Sequence, residues 1–334
     1  MKRQQALVLH RFGGPEGFAL EDQPMPTPGP GEIRVRVLAA SVHFTDLVMR
    51  AGKYPDLHAK PPLVLGYDVV GEIDELGPGV TAFAIGDRVA DLTVTGSYTR
   101  YRTLRVDRIV RIPAAVESAQ AATLLLSWVT AHQLLHRHAA IRAGRRVLIH
   151  GAAGAVGQAL LTLGALAGLK MWGSARATDA DFVRSFGATP IDYAADRLAK
   201  IYGPGDFDAI FDGVGAGGFA RSWASLAPGG VLAAYGMSAA VKSGSGMATA
   251  AWWLARLRAW DLLPNGKRAR FYSIVALRNR HPDWYRTDLE ALLALLAART
   301  IRPLVAARIA LADVPDAHRQ LAVGGVNGKL VICP

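Results

Sequence analysis

The chain has 334 residues, 51% hydrophobic and 19% charged, which excludes a disordered polypeptide and gives length for about two domains, each with its own core. Cys333 is the single cysteine, which excludes an intrachain disulfide and any cysteine-built zinc site and fits a reducing, cytoplasmic setting. The formal charge of +11 comes mostly from dispersed arginines, the pattern of a solvated surface and not of a nucleic-acid site, except over 242–280, where eight basic residues accompany one acid, Asp261.

The N-terminal run MKRQQALVLHRFGG is basic, but its apolar part is too short for a signal peptide. No apolar run approaches the roughly 18 residues of a membrane span; AATLLLSWVTAHQLL comes nearest and contains His132. ALVLH, FALED, EIRVRVLAAS, VVGEIDELG and DRVADLTV then follow one another as short strand-like runs. They are split by Gly13-Gly14-Pro15, the breaker-rich PMPTPGPG, and turns at 77–79 and at Ile85-Gly86-Asp87. This predicts a mostly β, partly open barrel. Within it, SVHFTDLVMRAGKYP predicts a helical turn and a loop ending at Tyr54-Pro55.

From Ser118 the pattern turns helical with ESAQAATLLLSWVTAHQLL, and RRVLIHGAAGAVG over 145–157 then reads as a strand, a tight turn and a helix start. Gly151, Gly154 and Gly157 fall three apart: the first relaxes the backbone, the second lets a pyrophosphate approach, and the third lets helix and strand pack closely. With Ala155 and Val156 at the helix start, this turn is the candidate cofactor-binding element. Strands at LKMWGS, TPIDY, FDAIFDGV, GGVLAAYG and ARFYSI follow, separated by helical stretches such as DFVRSFG and GGFARSWASL. Connections of crossover length predict an α/β fold with a doubly wound parallel Rossmann sheet.

The end of the second strand of such a sheet normally carries an acid for the ribose 2′-OH of NAD. Here it reads Gly173-Ser174-Ala175-Arg176, with no acid, and Ser174 and Arg176 can donate to a 2′-phosphate, which predicts NADPH. Further on, AAWWLARLRAWDLLPNGKRAR puts Trp252, Trp253, Leu254, Leu257 and Trp260 at helical spacing. It reads as a helix packed on the sheet or on a dimer partner; the alternative is a basic, apolar lid for a large apolar substrate, or a contact with anionic membrane. DLEALLALLA predicts a helix, and RIALADVPDAHRQLAVG and GKLVICP return to the first domain. The expected domains are 1–117 with 276–334, and 118–275.

Taken together, AASVHFTDLVMRAGKYP, LGYDVVGEIDELGPGV, GDRV, GSYTRY, LLLSWVTAHQLL and HGAAGAVG resemble the zinc-independent quinone oxidoreductase branch of the medium-chain dehydrogenase/reductase superfamily. DLLPNGKRARFYSI and the GKLVI terminus resemble the bacterial reductases near the synaptic-vesicle VAT-1 group within it. The resemblance covers essentially the whole chain and implies a GroES-like barrel domain, an NADPH-binding Rossmann domain and a homodimer. In the zinc alcohol dehydrogenases a Cys stands where this chain has His43, and Gly-His-Glu where it has Gly66-Tyr67-Asp68, so no metal is expected.

Without a Lewis acid, the resemblance implies hydride delivery to an apolar, already electrophilic small molecule, a quinone or an α,β-unsaturated carbonyl. One alternative is an enoyl-thioester reductase; another is a nucleotide-binding protein with an RNA- or membrane-binding basic surface. By position, Tyr54 matches a candidate proton donor of enoyl-thioester reductases, on a loop that faces the nicotinamide, and the competing reading is a tyrosine that only stacks. His43 replaces the usual Asn and either donates a proton or orients a ribose, while Asp46 anchors the loop. The resemblance also implies Thr130 beside the nicotinamide, Tyr193 near the adenosine phosphate, and Gly213, Gly215, Gly236 and Ser238 along the ribose edge. His132, His136 and His138 read as packing and surface histidines.

Overall fold

The computed structural model describes residues 2–194, 203, 205–215, 218–236 and 247–334. It divides into two compact units, Met1–Val129 with Pro282–Pro334, and Thr130–His281. Both divisions fall later in the chain than the 117/118 and 275/276 boundaries expected from pattern. The first is delayed because the helix Ser118–Thr123 packs on strands of the first unit and not on the Rossmann sheet.

Strands β1 (Arg3–Leu9), β2 (Phe18–Pro24), β3 (Glu32–Ser41), β4 (Leu63–Val64), β5 (Val69–Leu76), β6 (Arg88–Asp91), β7 (Tyr101–Arg105) and β8 (Val110–Arg111) build the first unit. β1 pairs antiparallel with β2 and β4. β3 is the hub of the larger sheet: Ile33, Val35 and Val37 point inward while Arg34 and Arg36 point out, the period-2 pattern visible in EIRVRV. Those residues pack with Val69, Ile73, Val89, Leu104 and Ile109, each such burial contributing about 1.5–3 kcal/mol. Register shifts in the β3–β5 ladder bend the sheet as a barrel wall requires. The expected strand DRVADLTV ends at Asp91, since Val94 takes a left-handed conformation with φ 69°.

The single helix expected from Ser118 is interrupted. Ser118–Thr123 and Val129–Gln133 are α-helical, joined and followed by π-helical turns at Leu124–Trp128 and Leu134–His138. The second unit then runs β9 (Arg146–His150), β10 (Lys170–Ala175), β11 (Thr189–Asp192), β12 (Phe207–Asp212), β13 (Leu226–Ala234) and β14 (Arg268–Phe271), all parallel, in the order β11-β10-β9-β12-β13-β14. Strand order reverses between β9 and β12, so a crevice opens past their carboxyl ends. β14 is shorter than ARFYSI because Ser273 caps the next helix, accepting the Ala276 N–H at 3.3 Å. The helix Met247–Asp261 buries Trp253 and Leu257 in the sheet's core, and Arg256 lies 5.0 Å from the ring centres of Trp252 and Trp260.

The chain returns to the first unit through the helix Pro282–Ala297, β15 (Val305–Ile309), the helix Val314–Val323 and β16 (Lys329–Ile332). β15 pairs parallel with β16, and β16 pairs antiparallel with β3 at Ala40 and Ser41. This strand pairing carries Lys329 to the residues just after β3. The architecture is a mostly β unit, the one expected to be GroES-like, and a parallel Rossmann unit, and among the described residues no helix is long and apolar enough to cross a membrane.

Candidate functional site

In the Rossmann unit the glycine turn has the geometry its spacing implies. Gly151 has φ 68°, and a Cβ on Gly157 would lie 2.3 Å from the Gly151 carbonyl, so both positions demand glycine. Gly154 is the N-cap of the helix Ala155–Leu166 and brings no capping side chain, which leaves the first N–H groups, those of Ala155 and Val156 among them, for an acceptor such as a phosphate. On the far side of the reversal, Gly215 has φ 71°, and Asp212 Oδ1 accepts the N–H groups of Val214 and Gly215, each at 3.0 Å. Gly236 sits so close to Gly213 that a Cβ would meet the Gly213 carbonyl at 2.6 Å. These residues fit a dinucleotide laid across the strand ends. Thr130 is buried in the helix that opens this unit, Tyr193 is exposed after β11, and Ser238 lies outside the described residues.

Behind the turn runs a buried chain that sequence reading does not anticipate. Ser174 and Asp212 both stand level with His150 in the sheet. Ser222 Oγ lies 3.1 Å from Asp212 Oδ2, 3.0 Å from the Gly218 carbonyl and 3.2 Å from His150 Nε2, and His150 Nδ1 lies 2.9 Å from Ser174 Oγ. Two of the partners of Ser222 only accept, so its one proton goes to them and His150 donates from Nε2. Burial lowers the pKa of His150, favouring the neutral ring. Its Nδ1 then accepts from the Ser174 hydroxyl, which faces inward and is not free for a phosphate. Arg176 also departs from expectation. The turn carries an acid, Asp179, whose carboxylate takes Arg176 Nε at 2.8 Å and Nη2 at 3.3 Å.

In the mostly β unit the helix Phe44–Arg50 starts at His43, whose backbone N–H donates to Asp46 Oδ2 at 2.8 Å, so Asp46 anchors the helix start. The His43 ring is enclosed: Nε2 lies 2.6 Å from Asp68 Oδ2, and Nδ1 lies 2.5 Å from Lys329 Nζ. Asp68 Oδ1 accepts the Ser41 N–H at 2.7 Å, and Lys329 also donates to the Val42 carbonyl at 3.3 Å. Burial, then the Lys329 charge, lowers the His43 pKa against the pull of Asp68; burial brings Lys329 down to about 8 and pushes Asp46 up to about 7. Edge-on to His43 stands Tyr67, with ring centres 6.0 Å apart, and its hydroxyl lies 2.7 Å from that of Tyr54. Burial raises both phenols, Tyr54 to about 12 and Tyr67 far beyond its ordinary value, so both are neutral at pH 7.

A catalytic zinc does not fit this set. It would have to remove Asp68 from one ring nitrogen of His43 or face the Lys329 ammonium at the other, and Tyr67 offers a neutral phenol. Among the described residues no three His, Cys, Asp or Glu side chains gather as a metal site. Lys329, like Asp179 in the Rossmann unit, is a functional-site residue that sequence reading missed; the one signal for Lys329 is a lysine opening the otherwise apolar KLVI, a strand buried at every position.

A family model for the alcohol dehydrogenase GroES-like domain matches residues 29–114, and one for zinc-binding dehydrogenase matches 186–332. A 2-haloacrylate reductase of Burkholderia sp is 32% identical over 71% of this chain and 74% of its own length. A quinone oxidoreductase of Pseudomonas aeruginosa is 28% identical over 97% of both chains. The mycobacterial protein Rv1454c, solved in complex with NADPH, superposes with a TM-score of 0.83 at 30% identity, covering 99% of this chain and 100% of that one. With the glycine turn, the parallel sheet and the GroES-like unit in place, the chain belongs to the quinone oxidoreductase-like branch of the medium-chain dehydrogenase/reductase superfamily and is an oxidoreductase with a nicotinamide-cofactor site.

Proposed function

We propose that the protein reduces an activated, conjugated acceptor, a quinone or an α,β-unsaturated carbonyl compound, using NADPH and no metal. The observation that carries this reading is the Tyr54–Tyr67 hydroxyl pair beside a His43 with no free ring nitrogen. When bound, the reduced nicotinamide supplies a hydride. Gly151 and Gly154 admit the pyrophosphate, Gly157 lets the helix pack on the strand, and Ala155 and Val156 offer N–H groups to the phosphates. Tyr54 supplies the proton: with Tyr67 donating to its oxygen, the Tyr54 O–H, which meets the Asp56 carboxylate in this structure, turns to donate to the oxygen or carbon that becomes anionic. His43, tied to Asp68 and Lys329, shapes the wall behind Tyr67 and is not the donor.

A buried neutral phenol can protonate an enolate-like anion but polarises a simple ketone less than a metal does, so the acceptor this pair suits best is electrophilic by itself. The relatives named for haloacrylate and quinone reduction support this class of acceptor. The test is oxidation of NADPH, in chelator, against quinones, enones, 2-haloacrylate, enoyl thioesters and saturated ketones. Turnover of the conjugated acceptors with inert saturated ketones is the expected result; turnover confined to saturated ketones would defeat the reading.

A further inference from the structure

The sequence offers Ser174 and Arg176 as donors for the adenosine 2′ position, with Tyr193 near the adenosine phosphate; the structure engages the first two and leaves Tyr193 exposed. The Ser174 hydroxyl proton goes to His150, as the single proton of Ser222 requires. Arg176 is half-exposed, with its side chain 45% accessible, but Asp179, at 8%, grips it through Nε and Nη2. The guanidinium therefore meets a ligand with Nη1 and the second Nη2 hydrogen, and with much of its charge offset by a carboxylate on the same turn.

We propose that Asp179 is the specificity-determining residue of the nucleotide site: it holds and partly neutralises Arg176, so that the site takes NADH alongside NADPH with only a modest preference for the 2′-phosphate. This rests on the dinucleotide reading above. A 2′-phosphate approaching Arg176 also approaches the Asp179 carboxylate, and the repulsion cancels part of the attraction. A ribose 2′-OH meets no such penalty.

The test is calorimetric titration of adenosine 2′,5′-bisphosphate and 5′-AMP, alongside NADPH and NADH, with the wild type, Asp179→Asn, Asp179→Ser, Asp179→Asn/Arg176→Ala and Ser174→Ala. Circular dichroism and Tm establish that each variant is folded. Asp179→Asn and Asp179→Ser are expected to tighten the bisphosphate and NADPH about tenfold, which is about 1.4 kcal/mol, with 5′-AMP and NADH changed less than about twofold. Adding Arg176→Ala should abolish that gain. Ser174→Ala should leave the ratio of bisphosphate to 5′-AMP affinity unchanged. Equal weakening of all four ligands by the Asp179 variants would make Asp179 a turn-holding residue only and overturn the proposal, as would a selective loss of the bisphosphate in Ser174→Ala. A wild type that binds none of the four defeats the dinucleotide reading itself, a distinct result from an unchanged ratio.

Discussion

Lys329 Nζ lies 2.5 Å from His43 Nδ1, and Asp68 Oδ2 lies 2.6 Å from the opposite ring nitrogen, so the imidazole bridges a buried cation and a buried acid. Removing one member leaves the other buried without its partner, which costs about 3–5 kcal/mol. Lys329→Met is therefore expected to lower stability by about 3 kcal/mol at pH 7, measured by urea unfolding. The pH dependence fixes the sign. Burial lowers Lys329 from 10.5 to about 8, so between those values the unfolded chain holds a proton that the folded one has released, and wild-type stability gains with rising pH. The deficit of Lys329→Met should widen from pH 8 to 10; a deficit that narrows there would mean that Lys329 is not depressed.

The same bridge bears on metal. Both nitrogens of His43 are taken, and a zinc ion gains no second strong ligand from Tyr67 or from Cys333, a residue of the C-terminal end. Turnover is expected to be unchanged in chelator, and protein purified without added metal should carry no stoichiometric zinc by atomic absorption. Activity lost to chelator and restored by zinc would refute this.

Asp46 is fully buried, with its Oδ2 accepting the His43 N–H and the Tyr98 hydroxyl beside its carboxyl. Burial raises it from 3.8 to about 7, so through that window the folded state holds a proton the unfolded state has lost, and stability falls as pH rises. Asn can still accept the His43 N–H and carries no charge. Asp46→Asn should match the wild type near pH 4 and exceed it by a few kcal/mol at pH 8, since each pH unit between the two pKa values is worth about 1.36 kcal/mol. A variant less stable than wild type at pH 8 would show that the carboxylate charge is needed there.

How much of this is legible in the sequence follows from the distance over which each feature acts. The turn at Gly151, Gly154 and Gly157 is local: strand, turn and helix lie within a dozen residues, and backbone sterics alone demand glycine at Gly151 and Gly157. The same holds for β3, whose alternation records burial directly. Lys329 is 286 residues from His43, and the pair forms only because β16 joins β3 at Ala40 and Ser41, a register that periodicity does not specify. Asp179 was within reach, three residues after Arg176, but reading the strand end for an acid stops at Arg176 and passes over the i,i+3 partner in the next turn. The inward hydroxyl of Ser174 depends on Ser222 and Asp212, which the chain brings together from a different crossover.

The Tyr54–Tyr67 pair gives the sharpest test of the chemistry, because its two hydroxyls, 2.7 Å apart, have different tasks. If Tyr54 donates to the substrate, Tyr54→Phe removes the acid and should lower turnover of an enone by a factor of about 10² or more, with NADPH affinity little changed. Tyr67→Phe removes only the donor to the Tyr54 oxygen, and it should cost less, about 10-fold, the scale of one hydrogen bond. A quinone should suffer less from either change, since the hydroquinone anion formed by two-electron reduction can take its proton from water. Both phenols are raised by burial, Tyr54 to about 12, so neither ionises below that value and the wild-type rate should show no limb from phenol ionisation between pH 6 and 10. Steady-state kinetics of the two variants on an enone and a quinone, with cofactor binding measured separately, decide the matter. Enone turnover untouched in Tyr54→Phe would leave the tyrosine pair as packing and return the proton to solvent.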